Sequence, residues 1–173
     1  ESDAKSLSQA GGSVLGLSRD ETLLGAFVLA DTLRPSARPA VAALKAMNLE
    51  VYLISGDRKA VAERIAAEAG IDTVFSEILP EEKAKIVSDL QLQGKKVAMV
   101  GEGFNDAPAL SRADIGIALA TGTDIAIEAA DMTLMNPDLA SLAAAIRLSQ
   151  RIQRVIWENL FWAFAYNLVL IPV

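Results

Sequence analysis

Apolar residues fall into two rhythms along this chain. Near its start they make short β-type runs, Ser13 to Leu17 and Leu23 to Leu29, and the polar tetrad Ser18-Arg19-Asp20-Glu21 between them predicts a hairpin. After Pro35 the spacing becomes helical: Ser36 is a candidate cap, and Ala37, Ala40, Val41 and Leu44 share one face. A strand over 50–54 stops at Ser55-Gly56-Asp57, and a helical pattern over 58–69 stops at Gly70, a residue suited to a left-handed helix end. A short extended piece, 73–76, leads to Pro80-Glu81-Glu82-Lys83. There proline opens a helix with Ile86, Val87 and Leu90 on one side. Gly94 ends it, and the apolar run Lys96 to Val100 is the strand around which the rest is arranged. Beyond it the pattern predicts a helix over 105–113, a strand over 114–119, a helix over 123–129 and a strand over 131–135. A long helix capped by Asp138 then runs through Leu142, Ile146 and Ile152. Alternation of this kind predicts an α/β chain, with right-handed crossovers and a parallel sheet covered by helices on both faces.

The pattern changes character near Arg154. From Val155 to Val173 only Glu158 is charged, and nineteen helical residues would reach about 28 Å, close to the hydrocarbon thickness of a bilayer. Arg147, Arg151 and Arg154 precede the segment and would put its entry on the cytoplasmic side, with Trp157 and Trp162 suited to the interface. A buried terminal helix is the alternative, supported by Glu158 and Asn159.

At 173 residues the chain has length for about one domain. It begins at Glu1 with neither an initiator methionine nor a signal peptide, and so reads as a piece of something longer. Sixteen basic residues against 22 acidic ones give a net charge of −6, with no basic stripe, which argues against nucleic acid as a partner. The absence of cysteine removes disulfides and thiolate metal sites, and the absence of histidine removes the commonest general base. Carboxylate, hydroxyl and amine chemistry remains, which suits phosphoryl groups and Mg²⁺.

Three strand ends carry that chemistry. Ser55-Gly56-Asp57 follows one strand, Lys83 opens a helix, and Gly101-Glu102-Gly103-Phe104-Asn105-Asp106 follows the central strand. Open α/β sheets bind ligands at the carboxyl ends of their strands, so these groups are expected at one rim. Glu102 and Asp106 offer the oxygen ligands that Mg²⁺ accepts beside phosphate. A dinucleotide site is a poorer fit, since Asp106 stands where the third glycine of that fingerprint belongs. A hydroxyl, an ammonium and metal-held carboxylates are what phosphoryl transfer needs, because its transition state spreads negative charge over oxygens. One part is missing, the nucleophile.

Taken together these segments resemble the catalytic unit of the heavy-metal (P1B) class of P-type cation-transporting ATPases, and most of all the copper exporters. The resemblance rests on Asp31-Thr32-Leu33-Arg34-Pro35, Ile54-Ser55-Gly56-Asp57, Leu79-Pro80-Glu81-Glu82-Lys83, Val100 to Leu110 and Asp114-Ile115-Gly116-Ile117-Ala118. It implies a haloacid-dehalogenase-like, Rossmannoid phosphorylation domain over 31–137, preceded over 1–30 by the end of a nucleotide-binding domain, whose last hairpin Leu7 to Leu24 resembles. A stalk helix over 138–154 and a truncated transmembrane helix over 155–173 would follow. In such an ATPase, Ser55 would bind the phosphoryl group with Gly56 and Asp57 beside it, and Lys83 would neutralise phosphate and aspartate charge. Asn105 and Asp106 would support Mg²⁺ and the aspartyl phosphate, and Asp31 and Arg34 would sit at the hinge on the ATP side. Tyr166-Asn167 resembles the Tyr-Asn pair among the ion-binding residues of copper-class pumps, and the lysine expected of a zinc-class pump is absent from this helix.

Two departures stand out. The family has Gly-Asp-Gly where this chain has Gly101-Glu102-Gly103, and no Asp-Lys-Thr-Gly-Thr, the family's phosphorylated segment, is present. The expectation is therefore part of a copper(I)-exporting, multi-pass membrane ATPase with its catalytic domain in the cytoplasm. It would use ATP and Mg²⁺ and be inactive without the rest of the pump. A soluble phosphatase of the same fold and a non-catalytic regulatory module are the rivals, the latter supported by Glu102.

Overall fold

The computed structural model describes residues 13–20, 22–29 and 32–170. Two antiparallel strands open it, β1 (Ser13–Arg19) and β2 (Thr22–Leu29), paired from Ser13 opposite Leu29 to Arg19 opposite Thr22 with a register shift at Leu17/Ser18. Asp20, at φ 46°, takes the left-handed conformation that the tight turn between them requires. The expected hairpin is therefore present, its strands reaching closer to the turn than the apolar runs alone suggested.

Strands and helices then alternate. Helix α1 (Ala37–Lys45) is followed by β3 (Tyr52–Ile54), α2 (Lys59–Ala69), β4 (Thr73–Phe75), α3 (Pro80–Leu92) and β5 (Ala98–Gly101). A 3₁₀ turn (Phe104–Asp106) leads into α4 (Ala107–Arg112), and β6 (Ile115–Leu119), α5 (Asp124–Ala129), β7 (Met132–Leu134) and α6 (Ala140–Leu170) complete the chain. Gly70 ends α2 at φ 78°, and Pro80 opens α3, where the Glu82 carboxylate accepts from the Leu79 amide at 2.9 Å. Asp138 caps α6 as expected, accepting from the Ala140 amide at 2.9 Å. Ser36 does not cap α1: it already has helical φ and ψ, and its side chain makes no cap hydrogen bond.

All pairing after the hairpin is parallel, as the alternation predicts. It is divided, however, into β3 with β4 and β5 with β6 with β7. Among the described residues β3 and β5 each keep one edge without a strand partner. Alternate β5 residues serve two cores, because successive side chains of a strand point to opposite faces. Met99 packs with Val87, Ala109, Leu110 and Ala126 from α3, α4 and α5. Val100 packs on the other side, where Ile117, Leu119 and Leu134 meet Leu44 of α1 and Leu142 and Ala143 of α6. Helices thus cover both faces of the three-stranded sheet.

At the amino-terminal side of that sheet, Asp114 ties α3 to β5. Its carboxylate accepts from Lys96 Nζ at 2.8 Å and from Gln91 Nε2 and the Val97 amide at 3.0 Å each. Lys96, then Gln91, then the amide hold this carboxyl well below the usual carboxylate range. A carboxyl depressed in the folded state contributes stability that is complete above its unfolded pKa of about 3.9 and is lost as pH falls toward the folded value. In Asp114→Asn, thermal melts between about pH 4 and pH 2 are expected to fall less steeply than in the wild type. An unchanged acid limb would show that this carboxyl does not stabilise the fold.

Helix α6 runs unbroken for 31 residues. Leu142 and Ala143 near its start are buried, whereas Trp157, Phe161, Trp162 and Phe164 are 63–68% exposed. The bilayer segment expected over 155–173 extends past Leu170, the last described residue. Among the described residues no helix is long and apolar enough to cross a membrane. Arg154, Glu158, Asn159 and Asn167 interrupt the apolar run within the described part.

Candidate functional site

The loop after β3 folds back on itself. Ser55 Oγ donates to Asp57 Oδ2 at 2.6 Å while the Asp57 amide donates to Ser55 Oγ at 3.1 Å, which closes a small ring around Gly56. This loop is pinned to the one after β4: the Ile78 amide donates to the Ser55 carbonyl at 3.1 Å and the Glu77 amide to the Asp57 carbonyl at 2.9 Å. Two residues after Ile78, helix α3 begins, and its first turn carries Lys83.

Lys83 Nζ donates to Asp106 Oδ1 at 2.7 Å, with the two side chains only 14% and 16% exposed. Asp106 Oδ2 accepts from the Gly103 amide at 3.0 Å and the Glu102 amide at 3.3 Å, so the loop after β5 wraps its own carboxylate. Gly101 is required for that wrap: a Cβ there would lie 2.7 Å from Asp106 Cβ. Ser55, Gly56, Asp57, Lys83 and Asp106 are thereby joined, through Ile78 and the first turn of α3, at the carboxyl ends of β3 and β5. Asn105 shares the 3₁₀ turn with Asp106 and is exposed.

Glu102 faces another way. Arg34 Nη2 lies between its two oxygens, 2.8 Å from Oε1 and 2.9 Å from Oε2, and Thr121 Oγ1 is 3.5 Å from Oε2. The Glu102 carbonyl accepts from the Thr123 amide at 2.9 Å, and a Cβ on Gly122 would come within 2.7 Å of that carbonyl. The turn after β6, Ala120 to Thr123, is therefore part of the rim. Its Thr-Gly-Thr sequence directly after a strand was the available signal, and the sequence reading passed over it.

The two carboxylates of the β5 loop each already hold a cationic nitrogen, Lys83 on Asp106 and Arg34 on Glu102. Among the described residues no group of three acidic side chains could hold a metal. Two carboxylates are enough for Mg²⁺, which completes its shell with waters and phosphate oxygens. Glu102 and Asp106 supply oxygen donors of that kind, but Glu102 points to Arg34 and Asp106 to Lys83, so a shared ion would have to displace Arg34.

Of the remaining candidates, Asp31 lies outside the described residues. Tyr166 and Asn167 are exposed on α6. Tyr166 lies 26 residues beyond Ala140, roughly 39 Å along the helix axis, and is not part of the rim.

Two family models described as haloacid dehalogenase-like hydrolase match, one over residues 2–114 and the other over 83–146. The chain is 53% identical over 152 residues to copper-exporting P-type ATPases of Staphylococcus aureus strains JH9 and Newman. The alignment covers 88% of this chain and 19% of each relative, so the chain spans about one fifth of their length. Among solved structures it is similar to a zinc-transporting PIB-type ATPase in the E2·Pi state. There the TM-score is 0.84 and the identity 37%, over 95% of this chain and 27% of the other. The catalytic domain of a CPx-ATPase matches with a TM-score of 0.64 and 28% identity, over 78% of this chain and 57% of the other.

Proposed function

The chain belongs to the haloacid dehalogenase-like hydrolases, and on that premise we propose that it is the phosphorylation-domain section of a membrane P-type ATPase that exports a heavy metal, most specifically copper(I). The observation that carries this reading is the Lys83–Asp106 pair hydrogen-bonded through one helix start to the Ser55 loop. The identity to copper exporters favours copper as the cargo, together with Tyr166-Asn167 and the absence of a lysine from their helix.

In this reading Ser55 Oγ and the Gly56 backbone N–H bind oxygens of the transferring phosphoryl group. Lys83 supplies an ammonium held in place by Asp106, so positive charge is already aimed where negative charge develops. Asp57 accepts the Ser55 hydroxyl while the site is empty, and that single proton turns to a phosphoryl oxygen when the group binds. Magnesium, when bound at Glu102 and Asp106, would neutralise phosphate charge. The aspartate that is phosphorylated by ATP lies on a segment outside this chain. The unpaired edges of β3 and β5 support a strand of that segment between them, which would set its end beside Ser55, Lys83 and Asp106.

The test is transport by the full-length protein in membrane vesicles. ATP-dependent uptake of copper(I), with phosphoenzyme formed only in the presence of Mg²⁺, is the expected result. Zinc(II) belongs in the same assay, because the solved structure with a TM-score of 0.84 is a zinc transporter. Zinc uptake without copper uptake would replace the cargo, and failure to form a phosphoenzyme with any metal would overturn the reading. Asp57→Asn is expected to keep the fold and to slow phosphoenzyme formation about tenfold, because the Ser55 hydroxyl is then held less firmly at the strand end before the phosphoryl group arrives. A rate equal to wild type would remove Asp57 from the site.

A further inference from the structure

Glu102 carries two incompatible obligations. The reading above gives its carboxylate to magnesium beside Asp106, yet Arg34 Nη2 sits in the fork of that carboxylate, 2.8 and 2.9 Å from its oxygens. Those are the lone pairs a metal ion would use. Arg34 belongs to the connector between β2 and α1, 68 residues away in sequence. Both side chains are about half exposed, 46% and 45%, so neither is locked away from solvent ions. Beside them lies an open cleft of about 570 Å³, bordered by Arg34, Ser36, Glu102, Thr121, Asn136 and Asp138, which gives the guanidinium room to leave.

We propose that Arg34 is a resident counter-ion that competes with magnesium for Glu102, so that cation entry and the hold on the connector exclude one another. The inference rests on the magnesium reading of the rim. The same connector has a second hold where it runs into α1, whose Leu44 packs on Leu142 and Ala143 near the start of α6. With both holds made, the connector is fixed to the β5 loop and to the start of the long helix. When a cation takes Glu102, the connector keeps only the hold at α6. The chain before Arg34 therefore loses one of its ties to the sheet when the site is loaded. Arg34 leaves with one positive charge and Mg²⁺ arrives with two, and the half-exposed position of the pair lets solvent screen the difference.

Competition of this kind lowers apparent affinity by the fraction of molecules whose Glu102 is free. An exposed ion pair worth at most about 1 kcal/mol corresponds to roughly a fivefold effect. The test is a Mg²⁺ titration of the 173-residue chain followed by NMR at the amides of Gly101, Glu102 and Gly103 and at the Arg34 Nε–H. Arg34→Gln is expected to bind Mg²⁺ about fivefold more tightly than wild type. Arg34→Lys, which keeps the charge on a shorter side chain, should also bind more tightly. In the wild type, the Arg34 Nε–H signal is expected to move with the same midpoint as the Glu102 amide.

An affinity for Arg34→Gln equal to or weaker than wild type would overturn the proposal. So would an Arg34 signal that stays put at saturating Mg²⁺, and this measurement decides the matter alone should the variants not fold. Wild-type affinity in Arg34→Lys beside tighter binding in Arg34→Gln would reduce the effect to general charge and overturn the specific exchange. Asp106→Asn tests the underlying site separately: Mg²⁺ bound as tightly as in wild type would refute the magnesium reading itself, whatever Arg34 does.

Discussion

Lys83→Met in the full-length protein is expected to lower the rate of phosphoenzyme formation at least about a hundredfold, measured as label transferred from ATP to the acid-quenched protein. A positioned donor aimed at developing charge in a water-poor site is typically worth that much, and the Lys83 ammonium is 14% exposed and held 2.7 Å from Asp106. The same substitution removes the counter-ion of a carboxylate that is itself 16% exposed. Breaking a fully buried pair costs about 3–5 kcal/mol. Here the amides of Gly103 and Glu102 still serve Asp106, so a loss of about 2 kcal/mol in denaturant unfolding is expected. Lys83→Arg should keep most of the stability and lose much of the rate, because a broad planar group cannot take the place of a point charge. Phosphorylation of Lys83→Met within a factor of about two of wild type would remove this residue from the chemistry.

Leu110→Ala is expected to destabilise the chain by about 3 kcal/mol, the largest single loss among its core positions. Leu110 is fully buried in the cluster that joins α3, β5, α4 and α5. The site has little freedom to collapse, because β6 presses directly on the end of α4. A Cβ on Gly116 would lie 2.6 Å from the Leu110 carbonyl oxygen. The consequence reaches the rim as well. Helix α4 begins one residue after Asp106, so a loosened α4 should also weaken the Lys83–Asp106 contact. Urea unfolding provides the measurement; a loss under about 1 kcal/mol would mean that α4 is not packed as described.

Much of the architecture follows from local pattern. Helical spacing at Ala37, Ala40, Val41 and Leu44 marks the buried face of α1, and all four residues are buried there. Gly70 and Pro80 mark a helix end and a helix start because only certain backbone conformations suit them. Parallel pairing follows from strand–helix alternation. The division of the sheet could not be read in the same way, since which strands sit side by side is decided by long-range packing and leaves no mark on the periodicity of any one strand. The candidate site divides along the same line. Ser55, Lys83 and Asp106 are recognisable because each stands at the end of a strand or the start of a helix, where side chains of their chemistry collect. Arg34–Glu102 is a pairing across 68 residues of sequence, and nothing near either partner announces the other.

Helix α6 turns small motions into large ones. Its burial is concentrated at Leu142 and Ala143, and from Leu148 to Leu170 it extends 23 residues, about 34 Å, with most of its large apolar side chains exposed. A rigid rod anchored at one end amplifies rotation in proportion to its length. A tilt of about 10° where α6 leaves the core near Leu148 would sweep the tip by roughly 6 Å, a full turn of helix pitch. Small adjustments near the start of α6 therefore emerge at its far end as a displacement of several ångströms.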